Sequence, residues 1–171
     1  GGGPFKFLFG GVSRQTDGFK NIDRSNRDSG FSISDYVVKL GFDTGDAGKL
    51  LFKASRTEQT SNETYLGLTD ADFNANPNRR YGLSTIDQMT NKHEGYNLTY
   101  SHEIDDSKNF IVTAYKNYYQ RDWFKVAKGG SYIDAVNGGD ASQQGILDGT
   151  TDVAGLTYKH NNRAYESEGI Q

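Results

Sequence analysis

Glu94-Gly95-Tyr96-Asn97-Leu98-Thr99-Tyr100-Ser101-His102-Glu103-Ile104 is the stretch whose reading decides the fold. Tyr96, Leu98, Tyr100 and Ile104 share one parity; Gly95, Asn97, Thr99, Ser101 and Glu103 share the other. Alternation at period two marks a β-strand whose two faces meet different surroundings. In a water-borne sandwich the polar face would meet bulk solvent. In an outer-membrane barrel the aromatic face meets lipid and the small, polar face meets a wet lumen. The way the strands are joined separates these two cases.

Six strands are expected. Phe5 to Arg14 places Phe5, Phe7 and Phe9 on one face. Ser34 to Asp43 sets Tyr36, Val38, Leu40 and Phe42 against Asp35, Lys39, Gly41 and Asp43. Lys49 to Thr57 sets Leu50, Phe52 and Ala54 against Lys49, Lys53 and Ser55, with Leu51 breaking the pattern. Glu94 to Ile104 is the fourth. Asn109 to Arg121 is apolar on both faces at its start, which leaves its facing open, and Val153 to Ile170 is a less regular sixth.

The links alternate strictly between long and short. Asp43–Gly48 and Asp105–Asn109 are short turns rich in residues that tolerate positive φ. Gln15–Ser32, Glu58–Lys92 and Asp122–Asp152 are long and polar. A sandwich has no reason to gather every long loop at one end, whereas an outer-membrane barrel has short periplasmic turns and long extracellular loops. Phe42, Phe52 and Ile104 near the short turns, and Tyr36, Tyr96, Tyr118, Tyr119 and Trp123 near the long loops, read as two interfacial aromatic girdles.

Composition agrees with a β-rich chain. With 34% hydrophobic residues and a mean hydropathy of −0.76, no run approaches the ~20 apolar residues of a membrane helix. The 21 glycines against 2 prolines favour turns and strands. The absence of cysteine excludes disulfides and thiolate metal sites. A net charge of −3 gives no electrostatic case for nucleic acid. No basic start leads into an apolar core, so no signal peptide is expected, and Gly1-Gly2-Gly3-Pro4 reads as a turn inside a larger protein.

Three stretches carry a resemblance: Gly10 to Phe19, with a "TDGF" step; Glu63 to Tyr81, similar to "ETYLGLTDADFxxNPxRRY"; and Asn161 to Gln171, similar to "NNRxYxSxGIQ". In this order they resemble TonB-dependent outer-membrane receptors of the ferric-dicitrate and siderophore type. The resemblance implies an all-β, antiparallel transmembrane barrel of about 22 strands, of which residues 1–171 would supply about six. It implies import of a ferric chelate (siderophore or ferric citrate) across the bacterial outer membrane. The energy would come from the TonB complex acting through a plug domain that is absent here. Six strands do not close a barrel, for which ~8 is the smallest outer-membrane case; the chain is therefore expected to be a partial barrel domain. The alternatives are a small barrel serving as adhesin or anchor, and a soluble carbohydrate-binding β-sandwich.

Among candidate site residues, Arg79 and Arg80 come first, because two guanidiniums on an outward loop offer planar forks to the carboxylates of an anionic chelate. They could equally brace nearby loop acids or bind lipopolysaccharide phosphates. Arg56 and Arg121, with Lys125, lie near strand tops and share that reading more weakly. Thr69, three residues before Asp72, is a variant capping box predicting a short helix that stops before Pro77, in a loop clip anchored by Tyr65, Leu68 and Phe73. His93, His102 and His160 are scattered, and His102 shares the aromatic parity of its strand. No catalytic constellation, resident metal site or cofactor motif is present in the sequence.

Overall fold

The computed structural model describes residues 3–45 and 47–171; Gly1, Gly2 and, in the first short turn, Asp46 lie outside them. One antiparallel sheet dominates. Its strands are β1 (Phe5–Thr16), β3 (Phe31–Asp43), β4 (Gly48–Ser61), β6 (Gln88–Asp105), β7 (Lys108–Val126), β8 (Tyr158–His160) and β9 (Arg163–Ile170). Each long strand pairs with the next along the chain, and β8 and β9 both pair with β7. The sheet is open, with β1 at one edge and β8 and β9 at the other. A second sheet is a parallel pair, β2 (Asn21–Ile22) with β5 (Arg79–Arg80).

The register sorts every strand into two faces. Across one run Phe7, Leu40, Phe52, Leu98, Ala114 and Ile170; next to it lie Phe5, Phe42, Leu50, Tyr100 and Val112. These rings and branched chains remain exposed, Phe7 at 77% and Phe9 at 70%, so the apolar face has no cover among the described residues. The opposite face carries Gly10, Val37, Ser55, Gly95, Asn117 and Ser167 in one row, and Leu8, Lys39, Lys53, Asn97, Tyr115 and Gly169 in the next. Leu51, the residue that broke the alternation, stands on this polar face beside Gly41 and Thr99, where small neighbours leave it room. The facing of β7 is also fixed: Phe110, Val112 and Ala114 join the apolar face, while Ile111, Thr113 and Tyr115 join the polar one.

The strands run further than their alternation suggests. β4 continues to Ser61, β6 begins at Gln88 and β7 reaches Val126. The β4 and β6 extensions are polar on both faces apart from Met89, and that of β7 carries Trp123 and Phe124 on opposite faces, so no apolar rhythm betrays them; the ladder itself holds them in line. The expected sixth strand is broken at Asn161-Asn162 into β8 and β9. Parity also corrects the aromatic girdles, since Tyr119 and Trp123 face the polar side with Asn117 and Arg121. Tyr36, Tyr96 and Tyr118 stay on the apolar face, as does His102, whose ring lies 6.2 Å from Tyr100 and 6.0 Å from Phe110.

All three long connections leave from one end of the sheet, where Thr16, Phe31, Ser61, Met89 and Trp123 share a row. They do not splay. Leu66, Tyr81, Leu83, Val126 and Leu147 form a buried cluster, with Leu68, Tyr132, Ile133, Val136 and Leu156 packed around it. Half of these residues come from a 3-10 turn (Gly82–Ser84), α2 (Gly130–Asn137) and α3 (Gln144–Leu147); α1 (Asp70–Ala75) lies beside the cluster without contributing to it. The first loop closes at its base on Gly30, where a Cβ would lie 1.6 Å from the Thr16 carbonyl oxygen, so only glycine fits.

Candidate functional site

Residues from all three loops converge on Arg79. Its Nε and one terminal nitrogen each lie 2.9 Å from Asp23 of the first loop. Nη1 lies 2.7 Å from Asp72 in α1, and Nη2 lies 2.6 Å from Asp148 just after α3. A guanidinium presents five donors in a plane, so one side chain can satisfy three carboxylates at once. The Gln144 amide then donates to both Asp72 and Asp148, closing the ring from outside. Arg79 is thus a staple holding three chain segments together.

Tyr81 extends the same network inward. Its ring is 1% exposed, and its hydroxyl donates to Asp72 at 2.6 Å while accepting the Thr69 backbone N–H at 3.0 Å. Thr69 caps α1 as the sequence predicts, its hydroxyl accepting the Asp72 N–H at 3.3 Å. Burial alone would raise the Asp72 carboxyl; the Tyr81 hydroxyl and then the Arg79 charge outweigh it and hold the group below its ordinary value. The anchors of this clip differ from those expected. Leu66 is buried beside Leu68, whereas Phe73 is 58% exposed, because the capped turn of α1 carries that ring outward.

A second junction ties the loops to the sheet. Asp87 is fully buried and accepts the backbone N–H groups of Tyr65 at 2.9 Å and Val126 at 3.3 Å. Burial pushes its carboxyl above the ordinary value despite those bonds and the Lys125 ammonium. Lys125, itself 5% exposed, lies 3.0 Å above the Tyr65 ring and 4.4 Å from that of Trp123. The two rings meet edge to face at 5.2 Å. A buried ammonium stacked on aromatic faces gains cation–π attraction in place of water.

The remaining cations of interest lie on the polar face just below the loops. Arg121 is directly opposite Arg163, and one row away His93, Tyr119 and Tyr165 are aligned across three strands. Tyr119 and Tyr165 stack at 6.2 Å, and His93 meets Tyr119 edge-on at 6.4 Å. Arg163 donates to Asn161 at 3.2 Å, while the buried Nε of Arg121 has no partner. Neither guanidinium meets a carboxylate among the described residues. Two facing cations beside stacked rings form an open patch suited to a flat or anionic ligand.

Of the four arginines singled out by sequence, only Arg121 belongs to this patch. Arg80 donates to the Pro77 and Arg79 carbonyls. Arg56 is on the apolar face in the row of Tyr36 and Tyr118, paired with Glu58 and, at 3.3 Å, with Glu94. Arg79 is enclosed by aspartates. Arg163 and Tyr165 are not among the candidate site residues of the sequence, and His93 enters there only as one of three scattered histidines; Arg163 and Tyr165 share a parity, yet only the register aligns them with Arg121 and Tyr119. Among the described residues no three metal-ligating side chains are placed to hold an ion; the three aspartates that do converge enclose a guanidinium. No protein-family model matches the chain, and no curated protein or solved structure does either.

Proposed function

We propose that this sheet is part of the wall of a transmembrane β-barrel in a bacterial outer membrane, with its loop cluster on the extracellular side. The supporting observation is the uncovered apolar face and its aromatic rim. Phe7, Leu40, Leu98, Val112 and Ile170 stand on it exposed, and on the same face Tyr36, Tyr96 and Tyr118 lie toward the loops, where Arg56, Glu94 and Glu166 begin a charged extension. Outer-membrane barrels present such an apolar outward band, flanked by an aromatic girdle, to lipid.

In this reading the polar face lines a lumen, and the Arg121–Arg163 patch lies below the extracellular mouth. The motifs that resemble TonB-dependent receptors then suggest the cargo: an anionic ferric chelate, drawn in by TonB-coupled energy. Arg121 and Arg163 would meet its carboxylate or catecholate oxygens, and Tyr119 and Tyr165 its flat faces. Arg80, at the loop cluster, is a second contact for an incoming anion.

A pair of substitutions tests the wall. Leu98→Arg places a charge in the centre of the apolar face, and Asn97→Arg places it one residue away on the polar face. A guanidinium at the bilayer midplane costs about 2–4 kcal/mol. Leu98→Arg in the native protein should therefore reduce the folded, detergent-extractable amount in outer membranes, while Asn97→Arg leaves it intact. Equal tolerance of both, with native protein remaining in solution without detergent, would overturn the proposal.

A further inference from the structure

Asn137-Gly138 is the one Asn-Gly step in the sequence. It closes α2, and its side chain ties the third loop to the second: Asn137 Oδ1 accepts the backbone N–H of Asp70 at 3.0 Å. Glycine after asparagine leaves the next backbone nitrogen unshielded, so that nitrogen can attack the side-chain amide carbon. Here it is held back. Asn137 keeps the helical backbone, and the Gly138 N–H donates to the Asp134 carbonyl at 2.9 Å. The Gly139 N–H donates to Val136 at 3.0 Å and that of Asp140 to Ala135 at 2.9 Å, with Gly139 at φ +101°. These paired bonds around a left-handed glycine lock the end of the helix. Asn137 and Gly138 are both exposed, so water reaches the step as soon as that lock opens.

We propose that Asn137 is a deamidation site gated by the end of α2, and that its reaction prevents the second and third loops from docking again as they were. Once the last turn frays, the Gly138 nitrogen loses its proton to hydroxide and attacks Asn137 Cγ. The N–Cγ bond forms, the Cγ–Nδ2 bond breaks, and ammonia leaves with a proton taken from water. Water then opens the five-membered imide. The product is aspartate or, where the main chain now runs through the side-chain carbon, isoaspartate. No group is oxidised or reduced. Either product carries a new negative charge at the C-terminus of α2, where the helix dipole disfavours it, and close to Asp70. Isoaspartate also adds a carbon to the main chain, so Gly139 and Asp140 no longer meet Val136 and Ala135 in register. Local opening sets the rate, as it does in hydrogen exchange. The inference rests on the loop cluster alone, and on neither a lipid-facing sheet nor the Arg121–Arg163 patch.

Gly139→Ala tests the gate. A Cβ there meets nothing within 4 Å, so the change acts only through the left-handed backbone that alanine resists. The native, full-length protein and this variant are incubated in mildly alkaline buffer, and conversion at each asparagine is followed by peptide mass spectrometry. The expected result is conversion at Asn137 about tenfold faster in Gly139→Ala, with Asn74 and Asn162 unchanged. The unaltered protein supplies a second comparison: Asn137 should convert about tenfold faster, or more, in urea than in buffer. Equal rates in the folded and unfolded chain would overturn the proposal, because the fold would withhold nothing. An unchanged rate in folded Gly139→Ala would also overturn it, by removing the helix end as the gate. The converted protein, separated by its added charge, should exchange the Asp70 amide hydrogen faster than the unconverted protein; equal exchange would refute the effect on docking.

Discussion

Arg79 and Asp148 are 69 positions apart in the chain and meet at 2.6 Å. That one contact commits the second long loop to the third, and Asp23 on the same guanidinium commits the first. Loops reaching out from a sheet are usually its most mobile part. Here they are folded into one body with its own apolar centre.

Arg79→Ala should therefore loosen all three loops together. It leaves three aspartates facing each other without a cation, and charged hydrogen bonds of this kind contribute roughly 1.5–3 kcal/mol each at most. Hydrogen exchange should show faster opening around Asp23, Asp72 and Asp148 at once, with the β3–β4 ladder unchanged. Loosening confined to the second loop would contradict the staple.

The staple should also fail in acid. Asp72 has its pKa depressed in the folded state, so its stabilisation is fully present above the unfolded value near 3.8 and disappears as pH falls through the lower folded value. Asp87 acts in the opposite sense: its raised pKa means that the burial penalty at neutral pH is relieved as pH falls. Proteolysis of the loops by an acid-tolerant protease should accelerate below about pH 4. Asp72→Asn should flatten that response, and Asp87→Asn should steepen it.

Tyr81→Phe separates packing from hydrogen bonding. The ring stays, but Asp72 and the Thr69 N–H lose their shared partner, which should cost about 1–3 kcal/mol of loop stability. Tyr81→Ala also empties the centre of the cluster and should cost ~3–5 kcal/mol. Thermal unfolding of the loop cluster, followed by the fluorescence of Trp123 at its base, would rank the two.

Adjacent glycines give a steric test. A Cβ on Gly129 would lie 2.6 and 2.8 Å from the Leu66 methyls and 2.9 Å from Val126, while one on Gly130 meets nothing within 4 Å. Gly129→Ala should destabilise the cluster by about 1–3 kcal/mol through overpacking. Gly130→Ala should be neutral or slightly stabilising by the same assay.

Arg121→Ala and Arg163→Ala address the ligand patch. Anchoring arginines at binding sites carry about 2 kcal/mol or more, so either change should weaken chelate binding by roughly 30-fold. Arg56→Ala, on the opposite face, should not. Titration of the native protein with a ferric chelate, the ligand of the proposed function, scored by quenching of its aromatic fluorescence, would separate them.

The sheet was readable in the chain because Phe5-Phe7-Phe9, Tyr36 to Phe42 and Tyr96 to Tyr100 alternate against small polar residues, and because two turns are short. The Thr69 cap was readable because capping is local. What escaped is long-range. Asp23 and Asp148 carry no local sign that they share a guanidinium with Asp72. Arg79 and Arg80 looked alike as neighbours, but in β5 successive side chains point to opposite sides, and only Arg79 turns to the aspartates. The patch of Arg121 and Arg163 needed a register that spans the break at Asn161-Asn162.

Because each long strand lies beside its successor in the chain, the sheet can lengthen strand by strand, with little loop entropy to overcome at the short turns between β3 and β4 and between β6 and β7. The Arg79 staple obeys a different schedule. Asp148 is made after β7 and cannot reach its guanidinium until the third loop has folded back across the second. In chain order that closure falls between β7 and the pair β8 and β9, so protection of Asp148 from solvent would report that the third loop has folded back before the sheet gains its last edge.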